Sequence, residues 1–209
     1  MKDETSRRWF AITADQRRSR TSADMVPQAL TSLARIPGLA LPFERTAGDE
    51  IQGLTSDPET VVAAVCALAR TGGFRIGIGV GDVDEPLPTS TREARGGAYL
   101  AAREAVSQHA QSVRVVVQPP APPRTPTPED WRAVDAETAL LALVSSLQRR
   151  SAEGWEVVDL IETGLTGTQT AARLGISASA VSQRLKSADH ALVVRLIGLS
   201  GRLLAGVWS

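Results

Sequence analysis

Residues 118–128 read QPPAPPRTPTP, and no other stretch restricts the folding of this chain so strongly. Proline lacks a backbone N–H and fixes φ, so such a run can neither continue a helix nor sit inside a sheet. It is predicted to be an extended, semi-rigid spacer, and it places a domain boundary at 118–129. The 209 residues then divide into an N-terminal part, 1–117, and a C-terminal part, 130–209. A hydrophobic content of 43% gives both parts the means to build a core.

In the N-terminal part, strand-like and helix-like runs alternate between glycine and proline breaks. Trp9 to Ala14 is a short apolar strand that ends in Asp15. A helical pattern over 23–34 stops at Pro37-Gly38. Strands at 41–46 and 50–54 flank the turn Ala47-Gly48-Asp49 and form a hairpin. Pro58-Glu59 opens a helix through Ala69 with Val61, Val62, Val65, Cys66 and Leu68 on its core face. Phe74 to Val83 is a fourth strand, 93–111 a helix and 112–117 a last strand.

The order β-α-β-β-α-β-α-β predicts an α+β fold. Its first six elements form a ferredoxin-like unit: an antiparallel sheet with helices on one face. The strand sequence GIGVG is no dinucleotide fingerprint, because no helix follows it at once. Alternate glycines in a strand instead admit a closely packed neighbour. In such a unit the tip of the first strand lies beside the hairpin turn, so Asp15 and Asp49 are expected close together. Two adjacent carboxylates repel unless neutralised, and magnesium arriving with phosphates suits them. Asp15 as a helix cap and Gly48-Asp49 as plain turn chemistry are the alternatives.

The C-terminal part is helical throughout. Ala136 to Arg150 turns Leu140, Leu141, Val144 and Leu147 inward, and Trp155 to Thr163 turns Val158 and Ile161 inward. Both helices are expected to brace the segment that follows, Leu165 to Ala188. There Thr166 or Thr168 caps a short helix with Ala171, Ala172 and Leu174 as its apolar positions. Gly175 makes the turn and Ser177 caps a second helix, whose Val181 and Leu185 face the same core. Outside remain Ser177, Ser179, Ser182, Gln183 and Lys186, with Arg184 to one side. These are small, hydrogen-bonding or cationic side chains, suited to the major groove of double-stranded DNA. Arg173, Arg184 and Lys186 are the phosphate candidates, and Ser179, Ser182 and Gln183 the base-edge candidates.

The formal net charge is zero, so no global field draws the chain to nucleic acid. Between Thr166 and Arg202, however, five cations stand against Asp189 alone, a net of plus four. The final helix, 188–207, is apolar around most of its girth and carries Gly198, Ser200, Gly201 and Gly206, with Trp208 just beyond. Such a surface points to a homodimer, with packing back on its own domain as the alternative. It is too short to span a membrane and contains Arg195 and Arg202. The start of the chain lacks the apolar core of a signal peptide, and Cys66 has no intrachain partner, so a cytoplasmic protein is expected. Arg17, Arg18 and Arg20 read as a solvated basic run, and His109 and His190 are isolated.

Two resemblances follow from these motifs. Residues 165–188 resemble the DNA-binding helix-turn-helix of bacterial regulators, with the spacing found in the last segment of sigma factors. Asp15, the hairpin Arg45-Thr-Ala-Gly-Asp-Glu50, the strand Arg75–Gly81 and the helix Gly97–Arg103 resemble the palm of class III and GGDEF nucleotide cyclases. A palm followed by a helix-turn-helix resembles the bacterial SatD family. The cyclase resemblance implies Asp15 and Asp49 as metal ligands and Arg45 and Arg103 as nucleotide contacts. Arg103 would stabilise the transferring phosphate. Tyr99 stands where those cyclases carry an asparagine that orients the ribose. The implied role is therefore binding of a nucleotide, with magnesium, rather than turnover. The expected function is a transcriptional regulator. A nucleotide-handling enzyme and a non-specific DNA-coating protein are the alternatives.

Overall fold

The computed structural model describes residues 8–17, 21–107, 112–118 and 128–207. Arg18, Arg20, His109, Trp208 and most of the proline run lie outside the described residues. In order, the elements are β1 (Trp9–Gln16), α1 (Val26–Leu33), β2 (Leu39–Ala47), β3 (Glu50–Thr55), α2 (Pro58–Thr71), β4 (Phe74–Gly81), α3 (Gly97–Ser107) and β5 (Val113–Val117). Then come α4 (Pro128–Gln148), α5 (Ala152–Glu162), α6 (Gly167–Leu174), α7 (Ala178–Ser187) and α8 (His190–Gly206). The described chain is thus α+β, with a five-stranded mixed sheet and eight helices.

The strands lie in the order β2-β3-β1-β4-β5. The first four pair antiparallel, as expected, but β5 runs parallel to β4. Strand β5 lies beyond the six elements expected to form the antiparallel unit, and α3 is the crossover that returns the chain to the starting end of β4. Helices α1 and α2 share one face of the sheet, and α3 covers the other. Phe10, Ile12 and Ala14 of β1 pack with α1 and α2, whereas Trp9 and Ala11 meet Ala98, Tyr99 and Ala102 of α3 on the opposite face. The glycines of β4 admit α3. A Cβ on Gly79 would lie 1.9 Å from the Ala98 carbonyl oxygen and 2.3 Å from the Ala102 nitrogen.

Helix α2 starts where Asp57 accepts hydrogen bonds from the N–H groups of Glu59 and Thr60, at 3.3 and 3.0 Å. The predicted helix 93–111 begins only at Gly97, since residues 82–96 are tied down as a loop. Asp84 N–H donates to the Arg95 carbonyl at 2.9 Å, and Thr91 Oγ1 to the Pro42 carbonyl at 2.7 Å.

Helix α4 begins at Pro128, inside the stretch expected as spacer; proline at a first helical position loses no bond. Leu140, Leu143, Val144 and Leu147 of α4 join the core formed by α1, α2 and the sheet, as do Val193, Leu196 and Leu204 of α8. So α4 does not brace the helix pair α6–α7, as expected from sequence. It lies on α8, α2 and β5. The buried stripe of α8 leaves Leu192, Val194, Ile197 and Leu199 exposed. No helix among the described residues is long and apolar enough to cross a membrane.

Candidate functional site

Helices α5, α6 and α7 close around a small core of Val157, Ala171 and Val181, sealed by Ile161, Leu174, Ile176 and Leu185. Ala172, expected inward, is exposed. Of the two threonines proposed as caps, Thr166 is the one used. Its hydroxyl accepts from Gln169 N–H at 3.3 Å, and Gln169 Oε1 accepts from Thr166 N–H at 2.9 Å. Gly175 ends α6 at φ 64°, a left-handed conformation that glycine adopts at little cost. Two residues later Ser177 Oγ accepts from Ala180 N–H at 3.1 Å and starts α7.

This geometry turns one face of α7 outward. Ser177, Ser179, Ser182, Gln183 and Lys186 are exposed, and so is Arg173 on α6. Ser182 Oγ donates to the Ala178 carbonyl at 3.1 Å and keeps its acceptor capacity. Arg184 differs from the other cations: its Nη1 lies 3.1 Å from Glu156 Oε2 on α5, which commits part of its charge.

The three-helix unit is tied to the sheet's helical layer through Trp155. The guanidinium groups of Arg70, on α2, and Arg150 each lie 4.3 Å from the Trp155 ring centroid. Arg70 also grips Asp159 of α5 with two hydrogen bonds of 2.6 Å. Arg150 is buried and donates through Nε and Nη2 to the Ala188 carbonyl, at 3.3 and 3.2 Å. Burial lowers its pKa, while the Asp159 hydrogen bonds raise that of Arg70.

At the sheet end, Gln16 N–H donates to the Asp49 carbonyl at 3.4 Å, so the tip of β1 does lie beside the hairpin turn. The Asp15 carboxylate, however, accepts from Arg75 Nη2 at 2.5 Å, across the β1–β4 pair. Among the described residues no group of three His, Cys, Asp or Glu side chains is arranged to hold a metal ion. Asp15 is ion-paired with Arg75. Arg45 and Arg103 are not brought together. Arg45 lies on the α1 face, with Nη2 2.6 Å from Asp24 Oδ2 and Nη1 3.0 Å from the Gly48 carbonyl. Arg103 lies on α3, across the sheet, 3.9 Å from Glu50.

A cavity of about 520 Å³ opens on the α3 face instead. Helix α3 covers β1, β4 and β5, so the end of the β2–β3 hairpin is left bare, and the loop before α3 closes the far side. Arg92, Arg95 and Arg103 line this cavity together with Gln52, Tyr99 and Leu100. Arg92 and Arg95 are exposed and have no ion-pair partner among the described residues. No sequence motif marks either residue; the local signal is a pair of arginines just ahead of Gly96-Gly97. Tyr99 is 8% exposed, and its hydroxyl has no hydrogen-bond partner. Burial pushes its pKa up. A larger cavity of about 720 Å³ between α2 and α8 is mostly apolar. Cys66 lines it, and burial pushes that thiol up to about 12, so it is no nucleophile at neutral pH.

No protein-family profile and no curated protein matches the chain. A crystal structure of a regulator of polyketide synthase expression from Bifidobacterium adolescentis aligns with 94% of this chain and 80% of its own, at 16% identity and a TM-score of 0.27. So loose a superposition transfers neither fold nor function.

Proposed function

We infer that this chain is a DNA-binding transcriptional regulator in which α6 and α7 act as a helix-turn-helix and α7 enters the major groove. The observation that carries the reading is the outward face of α7. Gln183 and Lys186, with Arg173 on α6, are exposed and unpartnered among the described residues, while Val181 on the opposite side is buried. Ser177, Ser179 and Ser182 keep that face low enough for close approach, and their hydroxyls offer acceptors and donors to base edges. Arg173 and Lys186 serve phosphates; Arg184 joins them once it leaves Glu156.

In this reading residues 1–117 form a ferredoxin-like, cyclase-palm-type unit that senses a nucleotide, α4 and α8 dock on it, and α5–α7 carry DNA recognition. The order β2-β3-β1-β4 supports the ferredoxin-like assignment. The exposed Leu192, Val194, Ile197 and Leu199 of α8 support a homodimer, which presents two recognition helices to two half-sites.

Fluorescence anisotropy with the duplex upstream of the protein's own gene, against a scrambled duplex at two salt concentrations, tests the reading. Gln183→Ala should weaken specific binding by about 1–3 kcal/mol and leave scrambled binding unchanged. Lys186→Ala should weaken both and reduce the salt slope by about one. Equal binding of both duplexes by the unaltered protein would replace the regulator with a DNA-coating protein. No binding to either would refute the interface.

A further inference from the structure

The cavity beside the N-terminal half of α3 gathers three guanidinium groups and an unsatisfied hydroxyl, and no contact within the fold accounts for the hydroxyl or for the Arg92 and Arg95 guanidinium groups. We propose that it binds a small molecule carrying two or more phosphate groups, held by Arg92, Arg95 and Arg103 with Tyr99 as an additional donor. The proposal deepens the sensing role given above to the sheet unit, and it moves that role from Asp15, Asp49 and Arg45 to a different set of residues.

Arg45, Arg70 and Arg75 each hold a carboxylate within 2.6 Å. Arg92 and Arg95 have none among the described residues, and Arg103 has only Glu50 at 3.9 Å. Three planar forks around one concavity match the several oxygens of a polyphosphate better than a single carboxylate. The volume of about 520 Å³ lies within the range of pockets that enclose a nucleotide-sized ligand. Tyr99 supplies the second, independent sign. Its side chain lines the cavity, is more than nine-tenths buried and leaves its hydroxyl unpaired. Buried hydroxyls nearly always find a partner, and this one has none within the fold. Leu100, 64% exposed on the same wall, offers an apolar surface beside the cations.

Isothermal titration of the full chain with GTP, ATP and inorganic tripolyphosphate, each with and without magnesium, tests the proposal. Binding is expected, and Arg92→Ala and Arg95→Ala should each weaken it about tenfold, since each removes a charged hydrogen-bond donor. Both side chains are exposed, so these variants should melt like the unaltered protein. Tyr99→Phe keeps the volume and should cost about three- to tenfold in affinity. A merely structural hydroxyl would move the melting temperature and leave affinity alone. Tighter binding of GTP or ATP than of tripolyphosphate makes the ligand a nucleotide; equal binding makes the site a reader of phosphate alone. Absence of binding by all three probes overturns the proposal, and so does binding that the arginine substitutions leave unchanged. DNA anisotropy on the same variants separates the two readings: loss of DNA binding with triphosphate binding unchanged would assign the arginines to DNA and overturn the proposal. A wild-type protein that binds triphosphate but not DNA would refute the α7 interface alone.

Discussion

The sheet unit and the α5–α7 unit are held together by different forces. In the first, Phe10, Ile12, Leu33, Ile51, Leu54, Leu68 and Ile78 are fully buried, and α4 and α8 add Leu140, Leu143 and Leu204 to the same core. In the second, the core cluster is Val157, Ala171 and Val181, and no Leu, Ile or Phe is fully buried. What the small unit lacks in burial it makes up in local chemistry: a capping box at Thr166, side-chain caps at Ser151 and Ser177, and a left-handed Gly175. Each cap contributes about 1 kcal/mol, whereas a fully buried leucine contributes about 2–3 kcal/mol. A unit built this way keeps its outer face free of packing duties. It also opens at lower cost than the core to which it is fastened.

The largest effect should come from filling the groove under α3. Gly79→Ala forces a methyl group against the Ala98 carbonyl, backbone that cannot rotate away. We expect a loss of about 3 kcal/mol or more and a fall in soluble yield. Chemical denaturation would measure it; a loss under about 1 kcal/mol would mean that α3 is loosely seated.

Next comes Leu204→Ala in α8, fully buried in the core that α4 and α2 share. A loss of about 3 kcal/mol, with one cooperative transition, is expected if α8 belongs to the sheet's core. Two separate transitions would break the comparison, since α8 would then belong with α5–α7.

The caps sharpen the contrast, because one titrates and the other does not. Asp57→Ala on α2 and Thr166→Ala on α6 should each cost about 1 kcal/mol. Hydrogen bonds from Thr60 and Glu59 hold the Asp57 carboxyl below its ordinary value of 3.8. A lowered folded-state pKa means that this contribution is complete above about pH 4 and is lost as pH falls through the folded value. The difference between wild type and Asp57→Ala should therefore shrink in acid, while that of Thr166→Ala stays constant. Stability curves from pH 2 to 7 would decide, and a constant Asp57 difference would remove the carboxylate from the cap.

Much of this architecture was legible because glycine and proline punctuate it. Pro37-Gly38, Gly48, Gly72-Gly73 and Gly175 each stand at an element boundary, and the predicted order of elements is the observed one. The exposed face of α7 followed from the spacing of Val181 and Leu185 alone. Where α4 and α8 would dock was not legible, since an apolar stripe does not name its partner. The side-chain neighbours at the sheet end were not legible for a more local reason. In β2, Leu41 packs on the α3 side but Phe43 on the α1 side, because the register with β3 shifts between Leu41 and Glu44. A one-residue irregularity reverses every side chain after it. Arg45 accordingly lies across the sheet from Arg103, and Asp15 meets Arg75, a neighbour set by cross-strand register.

The smallest effect concerns the fastening between the two units. Arg70 and Asp159 make a two-pronged contact at 2.6 Å, but their side chains are 48% and 43% exposed, so water screens the pair. A double-mutant cycle with Arg70→Ala and Asp159→Ala should give a coupling of about 0.5 kcal/mol, reduced by salt. Arg70→Ala should cost slightly more than Asp159→Ala, because it also removes one of the two guanidinium groups over the Trp155 ring. Hydrogen exchange gives the more telling readout. If this contact fastens α5–α7 to α2, either substitution should speed exchange in α5 and α7 while β1 and β4 keep their protection. Equal acceleration in the sheet would mean that the two units open together, and the difference drawn between them would be one of composition rather than of stability.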